Sequence, residues 1–299
     1  MTDNRKKSMK IYITCIIAIF YVMNASYSQT IITDENNDPI EGFGLVKDQK
    51  SNTVYFCKTD SITRTAIYKG QLKDGKITSV TKTPIIDNNS QETIPFFSAD
   101  GKYIFLFSNF NNTPDQNIDL WYGRYGRKGK IKDLKRSAIV NTDSVEYYGS
   151  MSENGNIYFS SWRSNGYGKG DIFSTTFRNG SFSPIQHLDT NINNRLTNSS
   201  PAISSKDEWI IYYSENKDSQ QADLVISFFN KGKWSKPVIL PGLVNTINFE
   251  FAPVIGDNGK SLYFSRREKS KLSGKDVYHI YKVPLAGLEL DTLKLAATY

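Results

Sequence analysis

Glu92-Thr93-Ile94-Pro95-Phe96-Phe97-Ser98-Ala99-Asp100-Gly101-Lys102-Tyr103-Ile104-Phe105-Leu106-Phe107-Ser108 holds two apolar, aromatic-rich runs separated by an Asp-Gly pair. Aromatic and β-branched residues in runs of this length read as strands, and Asp-Gly supplies the positive φ that a tight hairpin needs. A polar loop follows, then Asp119-Leu120-Trp121-Tyr122, which reads as a third strand.

The same landmarks return downstream. Glu146, Ser152, Asn154-Gly155, Ile157 to Phe159, Ser160 and Asp171-Ile172-Phe173 form one copy, and Asn198, Pro201, Ser204, Ile210 to Tyr213, Ser214 and Asp223-Leu224-Val225 form another. Glu250, Pro253, Asn258-Gly259, Leu262 to Phe264, Ser265 and Asp276-Val277-Tyr278 form a third, while Glu41, Val54 to Phe56, Cys57 and Ala66 to Tyr68 make a degenerate first copy. The copies start at 41, 92, 146, 198 and 250, a period of about 52 residues that spans almost the whole chain. A fourth strand follows a second turn, as in Gly180, Phe182, Ser183, Pro184 and Ile185 and in Gly232, Trp234, Ser235, Pro237 and Val238. Proline fits an edge strand, which can forgo a ladder donor.

Four-stranded units repeated without helices predict an all-β, five-bladed β-propeller with antiparallel blades. Thr30 to Thr33, ahead of Glu41, resembles the passages at 83 to 92 and 138 to 146. The N-terminal strand is therefore expected to complete the last blade and close the ring, hiding an edge. Residues 284–299 are expected as an appendage; strands there would make a sixth, partial blade.

Composition bounds the rest. Residues 1–28 carry Arg5, Lys6, Lys7 and Lys10, an apolar stretch from Ile11 to Met23, and Ser26 and Ser28 before Gln29. This predicts a secretory signal peptide, leaving residues 29–299 as a single domain with no membrane span after cleavage. The formal charge of +7 includes four basic residues and one acidic residue of this leader. The small remaining excess, without a long basic cluster, argues against nucleic acid. Cys15 lies in the leader, so Cys57 has no intramolecular disulfide partner. Cys15 is also misplaced for a lipid-anchored N-terminus.

The Glu92-x-x-Pro95-x-x-Ser98-x-Asp100-Gly101-Lys102 stretch, the Ser160-Ser161-x-Arg163 loop with Gly166, Gly168 and Gly170 leading into Asp171-Ile172-Phe173, and the Asn245-Thr246 pair before Glu250 resemble the WD40-like or PD40 repeat. That repeat occurs in the periplasmic propeller of the Tol system and in envelope proteins carrying an OmpA-type domain. The resemblance implies a periplasmic or outer-membrane-associated propeller, or one secreted further, that acts as a platform for an envelope protein or peptide. Neither the OmpA-type domain nor the extra N-terminal domain of the Tol propeller is found in the sequence. Fold alone fixes no function.

The candidate binding residues lie where inner strands begin and in one loop. Glu41, Glu92, Glu146, Asn198 and Glu250 are expected near one mouth of the central channel, where they would favour a basic partner group or a divalent cation. The competing role is hydrogen bonding within each blade, which recurrence favours. Trp162, Arg163 and Tyr167 belong to the glycine-rich loop and are expected to touch ligand. Without a following helix that loop is no phosphate cradle. Recurrence at Asp119, Asp171, Asp223 and Asp276 indicates a service to the blade. His187 and His279 fall in different blades, giving neither zinc spacing nor a triad, and no cofactor is expected. The remaining tryptophans, Trp121, Trp209 and Trp234, are expected between blades. A non-catalytic binding platform follows, with a glycosidase or lyase sited at the channel mouth as the alternative.

Overall fold

The computed structural model describes residues 27–299 except 62–63, 87–89, 111–116, 127–128 and 216–221. The predicted leader, apart from its last two residues, lies outside the described residues. Five sheets surround one axis. The first blade runs outward through Phe43–Lys47, Thr53–Ser61, Arg64–Lys73 and Lys76–Lys82, and the second through Phe96–Phe97, Tyr103–Ser108, Asp119–Tyr125 and Ile131–Arg136. The third has Glu146–Met151, Asn156–Ser161 and Asp171–Arg178, and the fourth Asn198–Ile203, Trp209–Glu215 and Ala222–Asn230, each with a divided outer strand. The fifth has Phe249–Gly256, Ser261–Lys269 and Asp276–Pro284.

Closure occurs as the sequence leads one to expect. Thr30 pairs with Lys282 and Ile31 with Tyr281, so the N-terminal strand is the outer strand of the fifth blade. Residues beyond 284 form a short 3-10 helix, Leu285–Leu288, and the helix Leu290–Ala296, so no sixth blade forms. Leu285 and Leu288 are buried between the fourth and fifth blades and anchor this appendage.

Each blade presents two apolar faces, because each is sandwiched by neighbours. Five clusters fill the five interfaces: Phe107 against Phe159, Tyr158 against Tyr212, Ile226 against Leu262, Phe56 against Ile280, and Ile67 against Ile104 lie in successive ones. The hairpins between inner and second strands use a repeated bracket. The Ser98, Ser152 and Ser204 hydroxyls accept from the N–H groups of Tyr103 (2.9 Å), Asn156 (3.3 Å) and Trp209 (3.0 Å). Gly101 and Gly155 take positive φ at the first two of these turns.

Proline interrupts the outer edge of the third and fourth blades, giving the pairs Ser181–Phe182 and Gln186–His187, then Lys233–Trp234 and Val238–Ile239. A serine bridges each break. Ser183 Oγ accepts from Thr176 N at 2.8 Å and Ser235 Oγ from Phe228 N at 3.0 Å.

Candidate functional site

The inner strands start at one end of the channel and reach their hairpin turns at the other. Near the starting end each inner strand of the first, third, fourth and fifth blades carries a bulge, with register breaks between Phe43 and Leu45, Tyr147 and Gly149, Ser199 and Ala202, and Phe251 and Val254. The residues after Phe43, Tyr147, Ser199 and Phe251 all take positive φ: Gly44, Tyr148, Ser200 and Ala252. Three of the four are small. Tyr148 is the bulky one, held at a φ of 42° that large side chains rarely accept.

This bulge level closes the channel. Phe43 of the first blade meets Phe251 at 5.7 Å and Tyr278 at 5.9 Å, both of the fifth, and Tyr148 of the third packs into the same cluster. Tyr148 also lies within electrostatic reach of Cys57 of the first blade and Tyr278 of the fifth, neither blade a neighbour of the third, so it reaches across the axis. Tyr148 also abuts Tyr147 edge to face at 4.4 Å. Burial drives the Tyr148 phenol far above its ordinary pKa, keeping it neutral.

On the other side of this plug a cavity of about 2060 Å³ widens toward the hairpin turns. Its deep wall includes Ile94, Tyr148, Ser200 and Ala252, with Pro95, Pro201 and Pro253 beside them. At its mouth stand Glu153, Glu208, Glu289 and Asp291, all exposed, with Lys47 and Lys260. The result is a funnel closed at the strand-start end and open at the turn end.

The recurring acids point elsewhere. Glu92 is buried and accepts from Ile85 N (2.8 Å) and Ile86 N (2.6 Å). Buried Glu146 accepts from Thr142 N (2.9 Å), Thr142 Oγ1 (2.8 Å) and Ser161 Oγ (2.8 Å), with Arg163 at 3.3 Å. Burial raises the Glu146 carboxyl above the ordinary range against the pull of these partners, and it lowers the Arg163 guanidinium. Asn198 accepts from Asn194 N (2.8 Å) and donates to Ser214 Oγ (2.9 Å). Glu250 accepts from Thr246 Oγ1 and from Arg266 Nε, both at 2.6 Å. These side chains tie each inner strand to the connector that precedes it, and none lines the funnel.

Glu41 lies one residue away from the equivalent place. Phe43 faces Cys57 as Tyr147 faces Ser160 and Phe251 faces Ser265, so Gly42 occupies the position of Glu146 and Glu250. Only glycine fits there, because a Cβ would lie 2.7 Å from the Cys57 carbonyl oxygen. Glu41 is exposed, and its backbone pairs with that of His279.

Two of the repeated aspartates, Asp119 and Asp171, also serve the scaffold. Arg136 grips buried Asp119 through Nε (2.6 Å) and a terminal nitrogen (2.9 Å). Asp171 takes His187 Nε2 at 2.7 Å and the N–H groups of Tyr167 (2.5 Å) and Gly168 (3.2 Å), so the glycine-rich loop wraps a carboxylate of its own chain. Arg136 and His187 sit at corresponding places on their outer strands, opposite Trp121 and Phe173. In the fourth blade Ile239 takes that place, and burial raises the Asp223 carboxyl.

Trp121 and Trp234 are buried, whereas Trp162 is 37% and Tyr167 50% exposed. Arg163, between them in sequence, is nearly buried and lies over the Phe173 ring at 4.5 Å. Among the described residues no group of three or more His, Cys, Asp or Glu side chains is placed to hold a metal ion. No helix among them is long and apolar enough to cross a membrane.

Asn141 and Asn193, not singled out from the sequence, form a set with Asn245. Their carboxamides accept from Leu120 N (2.7 Å), Ile172 N (2.7 Å) and Leu224 N (2.8 Å) and donate back to the carbonyls of those residues. Each latches a connector onto the third strand of the blade it leaves. Their regular spacing, that of the repeat itself, is the signal that reveals them.

No protein-family model matches the chain, and no curated protein matches it. Among solved structures it is similar to the endo-arabinase from Bacteroides thetaiotaomicron VPI-5482, at 15% identity and a TM-score of 0.56 over 86% of this chain and 97% of that one. It is also similar to the catalytic domain of the Coprinopsis cinerea GH62 α-L-arabinofuranosidase, at 10% identity and 0.55 over 86% and 96%. TolB from Acinetobacter baumannii matches at 16% identity and 0.48, over 82% of this chain; the chain spans about half the length of that protein (54%). At such identities the likeness to the endo-arabinase and the arabinofuranosidase is one of fold: the chain is a five-bladed β-propeller closed by its N-terminal strand.

Proposed function

We propose that the chain is an exported β-propeller of the bacterial cell envelope, periplasmic or outer-membrane-associated, that binds a protein or peptide and performs no chemistry, with the funnel as receptor. Membership of the WD40-like repeat family is part of this reading, supported by the serine-bracketed turns and the repeat period. The observation that carries it is the use made of the recurring carboxylates. Glu92, Glu146 and Glu250 are committed to the N–H, hydroxyl and guanidinium groups of their own scaffold. The funnel instead offers a proline-rich apolar wall and exposed carboxylates at its mouth. That combination suits a segment with apolar side chains flanked by basic groups.

The test is capture from solubilised envelope by residues 29–299, beside a Glu153→Lys/Glu208→Lys variant altered only at exposed positions. A protein held by the native form and lost by a variant of unchanged melting temperature supports the reading. Equal capture by both, or none by either, rejects the funnel as receptor. The competing reading, a glycosidase or lyase, takes its interest from the fold shared with the endo-arabinase and the arabinofuranosidase. It predicts sugar release from arabinan or another polysaccharide, abolished by one carboxylate-to-amide change.

A further inference from the structure

The glycine-rich loop lies at the strand-start end, opposite the open mouth of the funnel, and its construction is unlike that of a slack connector. A Cβ at Gly168 would run into the Leu196 carbonyl, and one at Gly170 would lie 3.1 Å from the Trp162 ring. The loop backbone is therefore pressed onto the next connector on one side and under the indole on the other. Asp171 holds it from inside through Tyr167 N and Gly168 N.

Two ring surfaces result. Tyr167 stacks on His187 (4.4 Å, 22°), which stacks on Phe173 (4.4 Å, 15°), whose ring also lies against the Arg163 guanidinium (4.5 Å). One face of Tyr167 is thereby fixed while half of the residue stays in water. Trp162 is braced by Gly170 and by the edge of Tyr147 at 6.1 Å, and it too remains exposed. Aromatic rings immobilised before binding offer stacking area at little entropic cost.

Two exposed cations stand beside them. Lys169 is exposed, and so is Arg195, whose backbone carbon would lie 3.1 Å from a Cβ on Gly168. The nearby carboxylates keep their charge but are turned to partners of the chain itself: Asp171 to His187 and the loop N–H groups, Glu215 to Thr197 N and the Tyr213 hydroxyl, and Asp189 to Asn191 N. We propose that this loop is a second binding site, for a uronic-acid-bearing glycan: Trp162 and Tyr167 stack on sugar rings, and Lys169 and Arg195 meet the carboxylates. Flat apolar sugar faces match the rings, and repeating carboxylates match the two cations.

Affinity electrophoresis and calorimetry with polygalacturonate oligomers test this on residues 29–299, with neutral arabinan and single-stranded DNA as controls. The expected result is binding to polygalacturonate, weakened about tenfold or more by Trp162→Ala or Tyr167→Ala and abolished by Lys169→Glu/Arg195→Glu. All four side chains have substantial solvent exposure, so an unchanged melting temperature shows that the variants fold. Failure to bind polygalacturonate overturns the proposal, as does binding that survives loss of both rings. Equal binding of neutral arabinan removes the role of the cations, and equal binding of DNA reduces the site to a general polyanion surface; either result overturns it. Capture through the funnel is unaffected by these variants, so the two sites fail or stand separately.

Discussion

Asn193 shows how much a single connector side chain can carry. Its carboxamide accepts from Ile172 N and donates to the carbonyls of Ile172 and Leu188, both at 2.9 Å, with no exposure to water. Asn193→Ala leaves the Ile172 N–H unpaired in the interior and takes a donor from two carbonyls, and is expected to cost about 2–3 kcal/mol. Urea denaturation checks this as a lower midpoint at unchanged slope. Glu146 makes a prediction about pH. Its native pKa is raised, chiefly by burial, so between the ordinary glutamate value and the raised one the unfolded chain has released a proton that the native state retains. Unfolding free energy from this group therefore falls as pH rises through that window and is flat below it. Glu146→Gln should remove that slope, and the difference between the two stability–pH curves measures it. Neither residue's use was fully legible in the sequence. The 52-residue recurrence identified Glu146 as important, but whether its carboxylate turns to the axis or to Thr142 and Ser161 is set by strand register. Asn193 sits in a polar connector whose composition resembles any loop.

Blades were easier to read than their edges. The Asp100-Gly101 and Asn154-Gly155 pairs fall where the hairpins are, and the prolines at 184 and 237 fall in outer strands, as local turn chemistry requires. The first copy misled by one residue, because Glu41 imitates the recurring acid while contact with the Cys57 carbonyl demands Gly42. In the outer strands the serine beside each proline acts as a splint. Ser235→Ala would strand the buried Phe228 N–H and is expected to cost about 1–2 kcal/mol. Hydrogen exchange should then quicken in the outer part of the fourth blade before elsewhere.

At the scale of the whole molecule, the plug was beyond reach of sequence reasoning. It depends on Phe43, Tyr148 and Phe251, far apart in the chain, meeting across an axis that no local pattern defines. Ring closure was readable because Thr30 to Thr33 repeats the passage between blades. Ile32 N donates to Ile280 O at 2.9 Å, within a buried position. Ile32→Pro deletes that donor and is expected to release the closing strand. The exposed edge of Asp276–Pro284 should then pair between molecules, seen as concentration-dependent mass in light scattering. A variant that stays monomeric at high concentration would show that closure does not depend on this strand.

The same closure sets an order in time. A chain made from its amino terminus produces Ile31 four blades before Tyr281, yet these two are partners. Each hairpin can form from nearby residues as it emerges, but Val54, Phe56 and Ile77 wait for the fifth blade to cover them. A nascent chain that has not reached residue 276 therefore carries both a sticky sheet edge and a bare apolar face. Completion is the slow, long-range step, and protection by a holding chaperone matters most until the carboxyl-terminal blade arrives.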